Sequence, residues 1–134
     1  MIVFFVGSNP STKSQTNAAF DTSTQSGQRL QQWMDAVDLS NAMFVNVSDQ
    51  TTPGNRPLQK NEIRENLHQL HNRLCIADRV IAVGKTAETA LNMLSTLDFY
   101  AIPHPSGMNR KLNDADYVES MLRDMKLYIW GDVR

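Results

Sequence analysis

Ile2-Val3-Phe4-Phe5-Val6-Gly7-Ser8-Asn9-Pro10-Ser11 is the stretch on which the fold turns. An unbroken apolar run, rich in β-branched and aromatic side chains, ends abruptly at glycine, polar residues and proline. Such a run suits a short buried strand. It is too short to span a bilayer and has no basic residues ahead of it, as a signal peptide would. Gly7 lets the backbone turn sharply and Pro10 stiffens the turn.

Outward from this stretch, three further apolar runs occupy 42–47, 79–83 and 98–102, each bounded by polar or turn-forming residues. Their continuous apolar character predicts strands covered on both faces. Helical spacing lies between them. Leu30, Trp33, Met34 and Val37 mark a helix over 28–37, and Ile63, Leu67, Leu70 and Leu74 mark one over 62–74. Ala87, Ala90, Leu91 and Leu94 mark a third over 86–94. Asn113 is expected to cap a last helix, with Asp114 and Asp116 in its first turn and Val118, Met121, Leu122 and Met125 on its buried face. Strands alternating with helices predict a parallel sheet with helices on both faces. In such sheets ligands bind beyond the carboxyl ends of the strands, here the loops after Val6, Val47 and Ile102.

The chain has 134 residues, which fits one domain, 1–134, with a core of its own. Apolar residues make up 41% and charged residues 20%, a globular balance. The net charge of −1 excludes a strongly basic, non-specific nucleic-acid binder and leaves room for a local basic patch. Cys75 is the only cysteine, so neither an internal disulfide nor a four-cysteine metal or iron–sulfur site is possible within one chain. A reducing, cytoplasmic setting is the expectation.

The three strand-end loops hold the unusual polar residues. Asn9 stands on the rigid turn Gly7-Ser8-Asn9-Pro10-Ser11, where its carbonyl oxygen could hold a water. The same residues also suit an ordinary turn closed by an Asx hydrogen bond. Asn46 lies inside the apolar run Met43-Phe44-Val45-Asn46-Val47. A buried amide without partners is costly. Its donor and acceptor suit a pyrimidine edge, or equally a structural tie to the next loop. In Pro103-His104-Pro105-Ser106-Gly107-Met108-Asn109-Arg110, prolines on either side hold His104, whose neutral ring could donate to an oxygen gaining negative charge. Met108 at the loop tip could wedge into a base stack and Arg110 could meet a phosphate. The alternative is a proline-rich turn with Met108 on the core.

Other segments carry weaker signals. Gly84-Lys85-Thr86 ends like a P-loop, but the position that needs the first glycine is Arg79, so triphosphate hydrolysis is excluded. Lys85 is left as a surface lysine or a phosphate neighbour. His68, His71 and Cys75 share one helix side and could ligate a metal, but they adjoin the leucine stripe and read better as boundary residues. Phe20 is a core plug or a stacking platform for a flat ligand.

Together these segments resemble the uracil-DNA glycosylase superfamily over most of the chain. Gly7-Ser8-Asn9-Pro10-Ser11 looks like the first catalytic motif of its mismatch-specific and single-strand-selective branches. Ala19-Phe20 with Ser26-Gly27-Gln28-Arg29-Leu30 is similar to the segment that supplies a stacking aromatic and the next helix. Val45-Asn46-Val47 resembles the strand end that reads the base. Asn55-Arg56-Pro57, the helix from Glu62, and Val80-Ile81-Ala82-Val83-Gly84-Lys85-Thr86-Ala87 resemble the linker, helix and third strand of shorter members. His104-Pro105-Ser106-Gly107-Met108-Asn109 looks like the second catalytic motif with its intercalating loop.

The resemblance implies a three-layer α/β/α sandwich around a four-stranded parallel sheet. It implies excision of uracil or a related pyrimidine from single- or double-stranded DNA, with no cofactor or metal, by a monomer. Asn9 and His104 would be catalytic. Gly7, Ser8, Phe20 and Asn46 would bind the base. Pro10, Ser11, Lys85, Ser106, Gly107, Met108, Asn109 and Arg110 would contact DNA. The first motif carries Asn9 where the most active branch carries Asp. The open alternatives are a glycosylase-fold protein that only binds DNA or a partner, and an enzyme for a different modified base.

Overall fold

The computed structural model describes residues 1–10, 19–20, 22–95, 97–106 and 109–131. Among these residues four strands, β1 (Val3–Gly7), β2 (Met43–Asn46), β3 (Arg79–Val83) and β4 (Tyr100–Ile102), alternate with four helices, α1 (Gln25–Ala36), α2 (Lys60–Leu74), α3 (Lys85–Leu94) and α4 (Ala115–Trp130). All strand pairs are parallel, in the order β2-β1-β3-β4.

The pleat sorts β1 between two half-cores. Val3 and Phe5 join Ile81, Val83 and Ile102 against Leu30, Trp33 and Met34 of α1 and Met121, Met125 and Ile129 of α4. Phe4 and Val6 join Val80 and Ala82 against Ile63, Leu70 and Leu74 of α2 and Ala87, Ala90 and Leu91 of α3. The sheet is therefore the middle of three layers. Both faces of β1 and β3 are covered, which is why their sequences read as unbroken apolar runs.

The edge strand departs from that expectation. Met43 is 48% and Phe44 37% exposed, because β2 has a neighbour on one side only. The helix starts also shift. α1 begins at Gln25, ahead of the expected 28, because the Thr24 hydroxyl accepts from the Gly27 N–H at 3.1 Å and Gly27 itself is buried. α4 is capped by Asp114 rather than Asn113: the Asp114 carboxylate accepts from the Asp116 and Tyr117 amides at 3.0 and 3.3 Å. Asn113 instead ends a short 3₁₀ turn, Arg110–Asn113, that the sequence pattern did not suggest. α2 opens on a reciprocal capping box in which Glu62 accepts from the Gln59 N–H at 2.8 Å. The same carboxylate takes a bidentate grip from Arg56 at 2.8 and 3.1 Å, which lowers its pKa to about 2.

The chain leaves β1 for α1 on one face of the sheet and leaves β3 for α3 on the other. β1 and β3 are neighbours, so their outgoing loops part and open a crevice at the carboxyl edge. No helix among the described residues is long and apolar enough to cross a membrane.

Candidate active site at the carboxyl edge of the sheet

Parallel register sets Gly7 beside Asn46, and the pairing continues past the strand ends. Val47 N–H donates to the Gly7 carbonyl at 2.9 Å and Ser48 N–H to the Ser8 carbonyl at 3.0 Å. The two loops are thereby zipped by main chain, without any call on the Asn46 side chain. Asn46 is 7% exposed, and its carboxamide has no hydrogen-bond partner among the described residues. Among the described residues no buried side-chain polar atom is left unsatisfied, so the amide reaches the mouth of the crevice. It has donor and acceptor to offer and has spent neither.

Gly7 is required by contact. A Cβ there would lie 2.7 Å from Asn46 Oδ1 and 2.8 Å from Phe20 Cζ. Gly7, Asn46 and Phe20 thus meet at one point. Phe20 is held in the left-handed region at φ 55°, and its ring leans edge-on toward Phe44 with centroids 6.1 Å apart. Phe44 in turn stacks on Phe5 at 5.7 Å, which roots the aromatic wall in the core. On its other side Phe20 faces His104, ring centroids 6.5 Å apart.

Asn9 is held differently. Its Oδ1 accepts from the Ser8 hydroxyl at 2.9 Å and its Nδ2 donates to the Gln50 carbonyl at 3.0 Å. Gln50 is fixed by its own N–H, which donates to the buried Ser48 hydroxyl at 3.1 Å. Pro10, next in the chain, is buried. One lone pair of Asn9 Oδ1 remains for a water. Beyond this loop, Ser48, Gln50, Asp49, Glu62 and Glu65 line a polar groove of about 420 Å³ whose carboxylates disfavour phosphate.

His104 follows β4 and stands against the turn between β3 and α3, where Gly84 N–H donates to the Ile102 carbonyl at 2.9 Å. The ring is exposed at its outer side, yet the surrounding protein removes enough water to lower its pKa from the usual 6.5. It is neutral at pH 7. Its loop is tied down at Ser106, whose carbonyl accepts from Asn109 N–H at 3.1 Å and, at the longer distance of 3.5 Å, from Arg29 Nη1. Asn109 caps the 3₁₀ turn by accepting from Lys111 N–H at 3.2 Å. Arg110 and Lys85 are exposed, Lys85 at the first position of α3. Ser11, Gly107 and Met108 lie outside the described residues.

The structure therefore brings Gly7, Asn46 and Phe20 into contact and sets His104 across from Phe20, while the Asn9 amide turns toward Gln50. Sequence reasoning missed Gly84, Phe44 and Arg29 as parts of this neighbourhood. A glycine closing an apolar strand signals a close approach for Gly84, but no local pattern marks what approaches it. His68, His71 and Cys75 are all exposed, and His68 and Cys75 contact Asn72 at 3.4 and 3.0 Å. No group of three or more metal-ligating side chains occurs among the described residues.

The family model described as the uracil DNA glycosylase superfamily matches residues 2–126, which takes in every strand and the strand-end loops above. A comparison with curated proteins gave no match. The chain belongs to the uracil DNA glycosylase superfamily.

Proposed function

We propose that this protein is a DNA glycosylase that hydrolyses the N-glycosidic bond of uracil, or of a closely related pyrimidine, and leaves an abasic site. The observation that carries the reading is Asn46: an amide 7% exposed, without a partner, beside an aromatic ring and opposite a neutral histidine. A protein tolerates such an amide where a ligand completes it.

The base leaves the stack before its glycosidic bond can be reached. Met108 fills the gap, and Lys85, Arg110 and the loop residues Pro10, Ser11, Ser106, Gly107 and Asn109 meet the DNA. Phe20 stacks on the flipped ring over Gly7 and Ser8. Asn46 accepts from N3–H through Oδ1 and donates to O4 through Nδ2. Cytosine presents an acceptor at N3 and a donor at C4, so it leaves both atoms mispaired, at about 1–3 kcal/mol. Asn9 orients a water toward C1′ of the sugar. As the bond from C1′ to N1 breaks, its electron pair stays with the base. Charge gathers on O2, where the His104 N–H stabilises it, a contribution of about 3 kcal/mol. The water oxygen bonds to C1′ and its proton is released to solvent. A neutral Asn9 positions this water without acting as a strong base.

The test is an oligonucleotide panel carrying uracil in single strands, U·G and U·A pairs, a T·G mismatch, hypoxanthine and modified pyrimidines. Alkali-labile sites at uracil are expected. Release of another pyrimidine would reassign the substrate, and binding without any release at high enzyme would remove the catalytic reading.

A further inference from the structure

We infer that Gly84 is a positioning residue for His104, setting the imidazole by offering it bare backbone to rest on. The inference rests on the glycosylase reading for its kinetic consequence, but its structural content is independent of that reading.

Gly84 has φ 90° and ψ 172°, a conformation open essentially to glycine alone. The turn it makes sends the chain from β3 straight into α3. It also presents a flat backbone surface to the loop after β4. A Cβ at Gly84 would stand 3.3 Å from His104 Cβ, 3.4 Å from Cδ2 and 3.7 Å from Cγ. The tight contact is at the His104 Cβ, and the imidazole edge lies at ordinary van der Waals distance, so a Gly84 side chain would press on the base of the His104 side chain and carry the ring with it. On its far side the ring meets Phe20, with centroids 6.5 Å apart. No described side chain hydrogen-bonds the ring, and the Gly84 backbone and Phe20 are two of the contacts that bear on its orientation. A Cβ at Gly84 would require the His104 Cβ to give by a few tenths of an ångström, and the ring moves with it.

The glycines divide cleanly. Gly131 has φ 75° and ψ −165°, close to Gly84, but a Cβ there meets nothing within 4 Å. It supplies the strain of a substituted positive-φ glycine without the contact. Gly84→Ala and Gly131→Ala therefore form a matched pair. Substrate turnover is expected to fall about tenfold to a hundredfold in Gly84→Ala, carried by kcat with KM little changed, because the ring is moved and the base-reading amide is not. Gly131→Ala is expected to keep wild-type kcat. Equal losses in the two variants, or wild-type kcat in Gly84→Ala, would overturn the assignment.

Two measurements stand apart from turnover. The ¹⁵N and ¹³C ring resonances of His104 should shift in Gly84→Ala and stay in place in Gly131→Ala; an unmoved ring in Gly84→Ala overturns the inference whether or not uracil is the substrate. If Gly84→Ala does not accumulate as folded protein, the wild type decides. A nuclear Overhauser contact from a Gly84 α-proton to the His104 Hδ2 proton is expected, and its absence overturns the inference. Loss of uracil excision in the wild type would leave both resonance readouts intact, so the two readings fail separately.

Discussion

The turn after β1 and the end of β2 lie side by side, and each offers an asparagine, yet they treat it in opposite ways. At the turn, Asn9 is tied on both sides: it accepts from Ser8 at 2.9 Å and donates to the Gln50 carbonyl at 3.0 Å, with one Oδ1 lone pair left over. At the strand end, Asn46 is 7% exposed and uncommitted, while main-chain bonds from Val47 and Ser48 do the work of joining the loops. An amide bonded on both sides is a fixed object, suited to holding something small in one place. An amide with both functions free is suited to reading a partner that brings the complementary pair. The contrast separates orientation from recognition before any ligand is present.

The contrast can be broken most decisively at the atoms where charge develops. His104→Ala should lower single-turnover excision by about a hundredfold to a thousandfold. Asn9→Ala should cost about a hundredfold through the lost water position, and about 1 kcal/mol of stability through its hydrogen bonds, read as a lower midpoint in urea. Asn46→Ala should show the reverse balance. Preference for uracil over cytosine should shrink by about tenfold or more, while the urea midpoint barely moves, because no protein hydrogen bond is lost. A large stability loss in Asn46→Ala with selectivity intact would make it a structural tie and remove the distinction.

Much of this architecture was legible in the residues, for identifiable reasons. β3 has its expected bounds at 79–83, because Arg79 and Gly84 delimit an apolar run buried on both sides. The apolar run of β2 looks as buried as the others, since composition does not tell an edge strand from a central one; at the edge of the sheet Phe44 is partly exposed. Asn113 lost its capping role to Asp114 because Asn109 starts a 3₁₀ turn that consumes the next residues. Within the site, the loops after β1, β2 and β4 could be picked out by strand-end position. The meeting of Phe20 with Gly7 could not. It depends on a left-handed φ of 55° at a non-glycine residue, which no sequence pattern announces. Gly84 and His104 meet across two strands, and only the register of β3 with β4 brings them together.

A more graded test uses pH. Desolvation lowers the His104 pKa below 6.5, so the ring is neutral, with one N–H donor, throughout the neutral range. As pH falls through that lowered value, the ring gains a charge its surroundings disfavour. The rate should fall on this acid limb if the neutral donor is the working form. His104→Gln keeps an N–H donor without a titration, so its rate, though lower, should lose that limb. The Glu62 carboxylate has a different window. Its folded-state pKa of about 2 lies below its ordinary 4.5, so the stability it contributes is present above 4.5 and is lost as pH falls toward 2. Arg56→Ala should flatten the acid unfolding curve in that interval and leave the excision profile near neutrality unchanged.

The smallest expected effects belong to the exposed cations Lys85 and Arg110, which extend the comparison outward from the base to the backbone of DNA. Neither residue belongs to an ion pair among the described residues; Lys85 follows the Gly84 turn and Arg110 follows the His104 loop, in a chain with a net charge of −1. A lysine or arginine that meets one phosphate displaces about one counterion, so its removal lowers the slope of log affinity against log salt by about 1. Lys85→Ala and Arg110→Ala should therefore weaken binding of uracil-containing and uracil-free oligonucleotides alike, most at low salt. The ratio of uracil to cytosine excision should stay as in the wild type, since Asn46 is untouched. A change in that ratio with no change in salt slope would place the cation at the base rather than the backbone, and would move recognition away from the strand end of β2.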